Sequence, residues 1–306
     1  MTSVVDTAGM GTRGLANVRA LARAARAEKL ALLSLSLPAL LLVLVFMVLP
    51  VGWLFWLSFF DASGSPSLEN YERILTNSTY LRSFSVTFSI SLSVTGLCIA
   101  LGYPVAYLLS EMPPRRATLL LVAVMLPYWT SILVRTYAWL ILLQRTGLIN
   151  EWALHLGLIG EPLPLVHNFT GTLLGMTHVM LPFFILPVYA AMRSIDRIYL
   201  VAASSLGASP TRAFWTVFVP LSLPGLVAGS FLVFVLCIGF YVTPAILGGG
   251  RVIMMAQQIE RSITLYSNWG AASALGVTLL VFTGAALTLA ALAGRLVLRR
   301  RTGGGR

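Results

Sequence analysis

The side chains that could carry out chemistry in this 306-residue chain are few and widely separated. Cys98 and Cys237 each lie within an apolar run, and neither has a neighbouring cysteine with which to form a disulfide or a metal clip. The histidines, His155, His167 and His178, lack the compact spacing of a zinc site. No Ser/His/Asp or Cys/His arrangement stands out. The sequence therefore predicts that the chain is not an enzyme and holds no metal.

Nucleotide-binding and proton-carrying motifs are missing as well. A run of three glycines, 248–250, follows an apolar stretch, but the Lys-Ser/Thr pair of a phosphate-binding loop does not come after it. This run is better explained as a flexible turn. A proton-driven carrier usually has acidic residues at membrane depth, whereas here Glu111 lies at the end of an apolar stretch. This absence argues against proton-driven transport.

One charged residue, Arg135, lies within an apolar stretch. It could face the interior of a helix bundle and line a pathway. The alternative is that its side chain reaches water near the outer interface, since it lies about 27 Å along its helix at 1.5 Å per residue. Aromatic residues beside Pro or Gly could mark a substrate route and hold a cation by cation–π attraction, with ordinary packing as the alternative. The candidate pathway residues are Tyr103, Tyr128, Trp129, Arg135, Tyr137, Phe240 and Tyr241.

The elements that carry these residues are predicted to be membrane-spanning helices. Hydrophobic residues make up 58% of the chain and charged residues 10%, which is far from the composition of a soluble domain. Several apolar stretches are each long enough to cross a hydrocarbon core of about 30 Å as a helix. They are residues 31–57, 84–110, 117–143, 171–192, 221–247 and 272–298. The sequence thus predicts an all-α polytopic membrane protein with six transmembrane helices.

The chain is predicted to comprise a basic cytoplasmic arm at residues 1–29, a transmembrane domain at 30–298 and a basic cytoplasmic tail at 299–306. The first apolar stretch is too long for a cleaved signal and no small-residue cleavage site follows it, so we expect it to be retained. The second stretch is rich in Ser and Thr, which predicts a face packed on other helices rather than on lipid. These residues are Thr87, Ser89, Ser91, Ser93 and Thr95.

Charge predicts the orientation of the helices. With the N-terminus in the cytoplasm, all but six of the 21 lysines and arginines are cytoplasmic, and one of the six is Arg135. The other five, in outer segments, are Arg73, Arg82, Arg145, Arg251 and Arg261. The net charge of +11 therefore reflects topology and contact with anionic lipid. No basic patch is interleaved with stacking aromatics, so no nucleic-acid partner is expected.

A polar segment at residues 193–220 separates the fourth and fifth apolar stretches, and its residue types predict two short helices. Residues 195–206 can form the first, with Gly207 where a helix C-terminus favours a left-handed residue. Ser209-Pro210 supplies an N-cap and a first helical residue for the second, which Pro220 would stop. Such an elbow could dock a soluble partner on the cytoplasmic side; the alternative is an ordinary connection between helices.

This segment resembles the cytoplasmic loop through which permease subunits of bacterial ABC importers contact their ATPase. In that family the loop has an acidic-Ala-Ala start, a Gly a few residues later and a later Leu-Pro. The matching residues are Ala202-Ala203, Leu206-Gly207-Ala208-Ser209-Pro210 and Leu221-Ser222-Leu223-Pro224-Gly225. Val201 occupies the acidic position, which removes one polar contact to the ATPase. The resemblance assigns ATPase coupling to Val201, Ala202, Ala203, Ser204, Leu206, Gly207, Ala208, Ser209 and Pro210.

Further blocks extend the resemblance from about residue 35 to 298 and are similar to the spermidine/putrescine permease subgroup. They are residues 68–71, 102–107, 126–131, 134–139, 147–150, 181–183 and 241–249. The resemblance implies a six-helix permease of type I importer (MetI-like) architecture in the bacterial inner membrane. It also implies a second permease chain, two ATPase subunits that hold ATP and Mg²⁺, and an extracytoplasmic substrate-binding protein. No cofactor is expected on this chain.

The resemblance also implies a mechanism, alternating access driven by a separate ATPase, and a polyamine as the solute. Related importers carry opines, aminophosphonates, thiamine or iron complexes instead. Since no acidic residue lies in the predicted membrane core, the charge of a polyamine would have to be met by aromatics, backbone carbonyls or the second permease chain. A stand-alone secondary transporter or channel is the alternative, and the structured cytoplasmic elbow counts against it.

Overall fold

The computed structural model describes residues 34–61 and 64–302, and the regular structure in these residues is almost entirely helical. Among the described residues, an isolated antiparallel bridge pairs Phe60 with Pro66. The helices are α1 (Ser34–Leu57), α2 (Glu69–Thr76), α3 (Ser78–Glu111), α4 (Pro114–Met125), α5 (Ile132–Leu143), α6 (Leu148–His155), α7 (Phe169–Arg193), α8 (Ile198–Ser205), α9 (Pro210–Ile238), α10 (Val242–Leu247), α11 (Met255–Thr264) and α12 (Trp269–Thr302).

Helix α1 belongs to a compact unit that ends at Leu57, and a second unit begins at Ser58. Within α1 the helix widens into a π turn at Leu44–Val48, where the Leu49 N–H donates to the Leu44 carbonyl. Pro50 follows directly. Because proline has no N–H to donate and its ring crowds the preceding turn, a widened turn lets the helix continue past it.

The core of the second unit is formed by α3, α7 and α9, which pack against one another. Phe184 of α7 is fully buried at the centre of this packing. Gly102 of α3 lies directly against the Phe184 ring, and a Cβ at Gly229 of α9 would lie 3.1 Å from the Phe184 carbonyl oxygen. Small residues at such positions let membrane helices approach closely. The three helices thus form the scaffold on which the remaining elements are placed.

The predicted fold class is confirmed, since the described part of the chain holds six apolar helical stretches of membrane-spanning length. They are Ser34–Leu57, Ser78–Glu111, Ile132–His155, Phe169–Arg193, Pro210–Ile238 and Trp269–Leu289. The stretch Ile132–His155 consists of α5 and α6 with a short turn between them. Two of the predicted helices, the third and the fifth, differ from the observed ones in ways that have a physical cause.

The prediction of one continuous helix at 117–143 is wrong, because the chain is broken between α4 and α5. Helix α4 ends at Met125, a 3₁₀ turn covers Leu126–Trp129, and Thr130 is extended with ψ of 151°. Pro127 in this turn cannot donate the hydrogen bond that would continue α4. The break therefore follows from the proline that the sequence places near the middle of the apolar stretch.

The predicted helix end at Pro220 and the predicted fifth helix at 221–247 are both wrong, since α9 is one helix from Pro210 to Ile238. A π turn at Phe214–Phe218 ends two residues before the proline, and the Val219 N–H donates to the Phe214 carbonyl. This arrangement is the same as the one before Pro50, and it carries the helix past Pro220. Gly239 ends α9, and α10 is a separate short helix.

The outer bounds of the predicted domains fall partly beyond the described residues. The basic arm at 1–29 lies outside them, as do residues 303–306 of the predicted tail at 299–306. Helix α12 begins earlier than the predicted 272–298 and continues to Thr302. The first four residues of the predicted tail are therefore the last residues of a helix.

The Ser/Thr-rich face of α3 packs on other helices, as predicted. Thr87, Ser91 and Thr95 are buried, Ser93 is half-buried and Ser89 is exposed. One partner of this face is α11, whose Met255 N–H donates to Thr87 Oγ1 at 2.9 Å. The Gln258 side-chain amide donates to Ser83 Oγ at 3.1 Å. These buried bonds fix α11 and the preceding glycine turn against the first half of α3.

Candidate functional site

The predicted elbow is present, and its first helix is α8 (Ile198–Ser205), shorter at its start than the predicted 195–206. Helix α8 ends in a Schellman motif, in which the Ala208 N–H donates to the Ala203 carbonyl at 3.0 Å and the Gly207 N–H to the Ser204 carbonyl at 2.9 Å. Gly207 has φ of 84°, so the prediction of a left-handed glycine is confirmed. A Cβ there would meet no atom within 4 Å, which leaves backbone conformation as the reason for glycine.

The second arm of the elbow is the first turn of α9. Ser209 Oγ accepts a hydrogen bond from the Arg212 N–H at 3.4 Å, and Pro210 is the first helical residue. Both were predicted from the sequence. The Schellman motif and this N-cap are adjacent, so the chain changes direction within two residues. Each of the two helices of the elbow therefore has a capped end at the turn.

The inner side of the elbow is seated on the core. Leu200 of α8 packs against the main core cluster. Tyr107 of α3 lies edge-on to the rings of Phe214 and Phe218, with ring centroids 5.1 Å apart in both pairs. The two phenylalanine rings stack on each other at 5.7 Å. Aromatic contacts therefore join the base of α9 to the last third of α3.

Two arginines tie the elbow to the C-terminus of α3. Arg193 Nη1 donates to the Ser110 carbonyl at 2.9 Å and to the Met112 carbonyl at 3.3 Å. Arg197 Nη2 lies 3.1 Å from Glu111 Oε2. The last carbonyls of a helix have no partner within it, so cationic side chains are favoured there. We call this arrangement of Arg193, Arg197, Ser110, Glu111 and Met112 the arginine latch.

The outer side of the elbow is apolar and exposed. Ile198 is 63% exposed, Val201 62% and Leu206 89%. The hydroxyls of Ser204 and Ser205 donate back to the Leu200 and Val201 carbonyls at 3.0 Å each, so they add little polarity to the surface. We call the exposed surface of Ile198, Val201, Ala202, Ser205 and Leu206 the elbow face. Exposed apolar patches of this kind are typical of protein–protein contacts.

The remaining residues assigned to coupling fall around this face. Ala202, Ser204, Ser209 and Pro210 are exposed, whereas Ala203 and Ala208 are half-buried where the Schellman motif closes. Val201, at the position where the family has an acidic residue, leaves the face without a charge of its own. The ATPase contact that the sequence predicts for these residues stays a prediction.

The predicted pathway residues lie in different surroundings. The Tyr103 hydroxyl is 2.8 Å from Ser222 Oγ and thereby joins α3 to α9. Phe240 is half-buried against the main core, and Tyr241 is exposed. Trp129 and Tyr137 are exposed as well. Tyr103 and Phe240 thus have structural contacts of their own, and the transport role of all of these residues stays a prediction.

The Arg135 side chain is bonded to the backbone of the break between α4 and α5. Its Nη2 donates to the Thr130 carbonyl at 2.9 Å and to the Tyr128 carbonyl at 3.3 Å. Tyr128 in turn packs edge-on to Phe183 of α7, with ring centroids 5.3 Å apart. The half-buried guanidinium therefore caps carbonyls that the broken helix leaves unpaired, a contact that neither sequence interpretation of Arg135 included.

A cavity of about 280 Å³ lies between α3, α4 and α7. Its lining includes Leu101, Pro127, Leu181, Pro182 and His178, and none of the predicted pathway residues is among the described residues that line it. The His178 ring packs against Trp139 with centroids 5.6 Å apart. The sequence offered His178 as a polar residue in a spanning stretch, but it was considered there only as a metal ligand. Within the described ranges, no group of three His, Cys, Asp or Glu side chains could hold a metal ion.

Spermidine/putrescine permeases are similar to this chain over most of its length. The spermidine/putrescine transport system permease protein PotB of Haemophilus influenzae is 31% identical over 247 residues, which cover 78% of this chain and 86% of the relative. PotB of Escherichia coli K12 is 30% identical over 234 residues, 76% of this chain and 85% of the relative. No protein-family model matches the chain.

Solved structures share the fold. A bacterial alginate ABC transporter, crystallised with its alginate pentasaccharide-bound periplasmic protein, contains a chain that matches with a TM-score of 0.66 at 17% identity. The match covers 88% of this chain and 96% of that one. The identity to the PotB proteins over more than two thirds of each, together with six spanning helices, defines the family. The chain belongs to the permease subunits of ABC importers and is a relative of the spermidine/putrescine permeases.

Proposed function

We propose that this permease imports a polyamine such as spermidine or putrescine, and that its elbow face docks into a separate ATPase. The complete importer would contain a second homologous permease chain, two ATPase subunits that bind ATP and Mg²⁺, and an extracytoplasmic binding protein. The chain lies in the bacterial inner membrane with both termini in the cytoplasm, as the distribution of its basic residues favours. The chain itself carries no cofactor.

The observation that carries this proposal is the elbow. A short helix with an exposed apolar side, closed by a left-handed glycine and held on the core by aromatic contacts, fits the helix-in-groove mode of protein recognition. An ordinary connection between two spanning helices does not need to expose Ile198, Val201 and Leu206 together. A soluble subunit that covers them supplies the reason.

The mechanism follows from what the elbow touches. When ATP binding draws the two ATPases together, each docked elbow moves with its subunit. The arginine latch carries this displacement to the end of α3, and the aromatic contacts of Tyr107 carry it to the base of α9. Since α3, α7 and α9 form one packed scaffold, they move together and open the solute path to the outside.

The choice of a polyamine is supported by the names of the PotB relatives. The solute would pass the aromatic residues that the sequence singled out, Tyr128, Trp129, Tyr137, Phe240 and Tyr241, with cation–π contacts in place of acidic groups. Arg135 donates through Nη2 to two carbonyl oxygens and acts as a positioning residue for Tyr128 in this proposal.

A pull-down in mild detergent from the native membrane, with mass spectrometry of the recovered proteins, tests the assembly. We expect an ATPase and a second six-helix permease to be recovered. When the purified complex is reconstituted in liposomes, labelled spermidine should be taken up only if ATP is present on the side of the membrane where the ATPase lies. Recovery of this chain alone, with solute flux that needs no ATP, would favour the stand-alone carrier and contradict the proposal.

A matched pair of variants tests the elbow face itself. Leu206→Asp places a charge on the face, whereas Leu265→Asp places the same charge at a residue that is also exposed, by 69%, in the turn after α11. We expect the Leu206 variant to lose the ATPase during purification and the Leu265 variant to retain it. Equal retention in both variants would exclude the elbow face as the docking surface.

A further inference from the structure

A cleft of about 700 Å³ lies at the opposite end of α3 from the elbow, between the start of α3 and the turn that precedes α11. Arg82 and Arg251 line it together with the hydroxyl residues Ser78, Thr79 and Ser83 and the aliphatic Val86. Both arginines are exposed. We call this the outer cleft, because Arg82 lies 29 residues before Glu111 on α3, about 44 Å at 1.5 Å per residue, and so at the end of α3 away from the arginine latch.

The charges of the outer cleft have no counterpart in the part of the chain that the structure describes. The ion pairs Arg73–Glu69 and Arg197–Glu111 do not include a cleft arginine. No guanidinium hydrogen bond forms from Arg82 or Arg251 within the described ranges, and no acidic side chain lines the cleft there. Two like charges that share one cleft repel each other, so a group of opposite charge between them would be favoured.

Hydrogen bonds between α3 and α11 fix the base of the cleft. Ser83, at its floor, is buried and accepts a hydrogen bond from the Gln258 side-chain amide at 3.1 Å. The Met255 N–H bond to Thr87 fixes the next turn of α3 to α11 at 2.9 Å. Gly249, in the turn that carries Arg251, has φ of 53° and lies directly against the His167 ring. The two arginines are thus presented by elements whose positions are fixed relative to each other.

We infer that the outer cleft receives acidic side chains, Asp or Glu, of the extracytoplasmic binding protein. This inference rests on the proposed function, which places the elbow in the cytoplasm and the cleft on the far side of the membrane. The cargo itself is not the occupant, because a polyamine is a cation and two guanidinium groups repel it. A guanidinium presents paired N–H donors that match a carboxylate, so the cleft suits an acidic partner surface. Charged rims of this kind govern encounter rate and orientation.

Binding-protein-stimulated ATP hydrolysis by the whole complex in nanodiscs tests the inference. The binding protein is the one captured by chemical cross-linking to the complex from the native membrane. We expect Arg82→Glu with Arg251→Glu to raise the concentration needed for half-maximal stimulation by about tenfold, with basal hydrolysis unchanged. Arg145→Glu, at an exposed arginine in the turn between α5 and α6, is the matched control and should leave that concentration within about twofold of the original protein.

Additional variants and a competition experiment distinguish the possible outcomes. Replacing acidic residues on the binding protein by Lys should restore stimulation of the doubly reversed complex, which an unfolded variant cannot do. If charge reversal at the two arginines impairs assembly, the Arg82→Gln with Arg251→Gln variant can be compared with the Arg145 control instead, since it removes the positive charges without adding negative ones. Equal behaviour of the cleft and Arg145 variants would overturn the inference while leaving the importer intact. A second result would also overturn the inference: succinate at constant ionic strength reduces the stimulation, while Lys replacement on the binding protein has no effect. The cleft would then bind a free anion instead of the binding protein. No stimulation of the unmodified complex would overturn the proposed function.

Discussion

Two arginines lie near each end of α3, but among the described residues only the pair at the elbow end is bonded to groups of the chain. At the elbow end, Arg193 and Arg197 are bonded to carbonyls and to Glu111 of the chain itself. At the other end, Arg82 and Arg251 share a cleft with no acidic neighbour among its lining residues. A Schellman glycine also ends α6, where Gly157 takes the place that Gly207 has at the end of α8: the Leu158 N–H donates to the Ala153 carbonyl at 2.9 Å.

In the proposed importer, this difference separates transmission within the permease from recognition of a partner. Cations that are paired within the described residues hold two elements of one subunit together and would carry movement between them. Cations that are left unpaired there would be available to another molecule. The apolar elbow face and the charged outer cleft therefore predict two partners of different chemistry, one bound chiefly by apolar burial and one chiefly by charge.

The strongest test of the comparison exchanges the two Schellman glycines for valine. A β-branched residue at positive φ is strained, and the left-handed conformation costs about 1–2 kcal/mol for an ordinary residue. Gly207→Val should reduce ATP-driven uptake at least about tenfold, because the elbow changes direction at this residue. Gly157→Val, with φ of 67° and equally open surroundings, is the control.

We expect both valine variants to lose similar stability in thermal unfolding of the detergent-purified protein. Only Gly207→Val should lose the ATPase in the pull-down. Unchanged uptake and assembly in Gly207→Val would refute a special role for the elbow, and equal loss of uptake in both variants would reduce the effect to stability.

The scaffold of the outer cleft can be weakened without touching its charges. Thr87→Val removes the acceptor of the buried Met255 N–H, which should cost about 1–3 kcal/mol in the free energy of unfolding. Thr95→Val is the matched control, since that buried hydroxyl donates to the Ser91 carbonyl of its own helix at 2.7 Å and its loss is nearly neutral. Chemical denaturation in mixed micelles measures both. A Thr95 variant as destabilised as the Thr87 variant would contradict the assigned role of α11.

The arginine latch should affect coupling more than stability. The side chains of Arg197 and Glu111 are 65% and 39% exposed, so their ion pair contributes less than about 1 kcal/mol. Arg193→Gln with Arg197→Gln should lower uptake about two- to fivefold at a nearly unchanged rate of ATP hydrolysis. Arg73→Gln, which breaks the exposed pair with Glu69 on α2, serves as the control. Uptake that falls strictly in proportion to hydrolysis would exclude a transmission role for the latch.

Salt should also distinguish the two surfaces, with a smaller effect than charge reversal in the outer cleft. Raising NaCl from about 0.1 M to about 1 M shortens the screening length from about 10 Å to about 3 Å. Half-maximal stimulation by the binding protein should then need several times more of it, whereas the ATPase should stay bound to the elbow face. Dissociation of the ATPase with no change in stimulation would reverse the assignment of the two surfaces.

The sequence predicted the fold class and the elbow because both depend on local signals. Six apolar stretches, a left-handed glycine at 207 and the Ser209-Pro210 helix start need no knowledge of distant contacts. The failures involve prolines, since Pro127 breaks a helix whereas Pro220 does not. A widened turn precedes Pro220, whereas Pro104, Pro182, Pro187 and Pro224 lie inside helices without such a turn, so a proline alone does not predict whether a helix continues.

The latch and the outer cleft could not be predicted because they join residues far apart in the chain. Arg193 meets the end of α3 more than eighty positions earlier, and Arg251 shares a cleft with Arg82. The sequence did indicate that the Ser/Thr-rich face of α3 would be buried. It gave no partner, because the polar α11 with Gln258 resembles an outer loop by composition. Arg135 likewise was assessed along its own helix, whereas its bonds cross the break before it.

The π turn at Phe214–Phe218 has a consequence for how α9 tolerates change in length. A π turn contains one residue more than an α turn, and each residue turns a helix by about 100°. Deleting one residue within the π turn would let the Val219 N–H reach the Phe214 carbonyl across an ordinary α turn, so the residues beyond it would keep their direction. Deleting one residue between the π turn and Ser222 would instead rotate the rest of the helix by about 100° and turn Ser222 away from Tyr103. Hydropathy would rate the two deletions alike, although only the second would misalign the elbow with the membrane core.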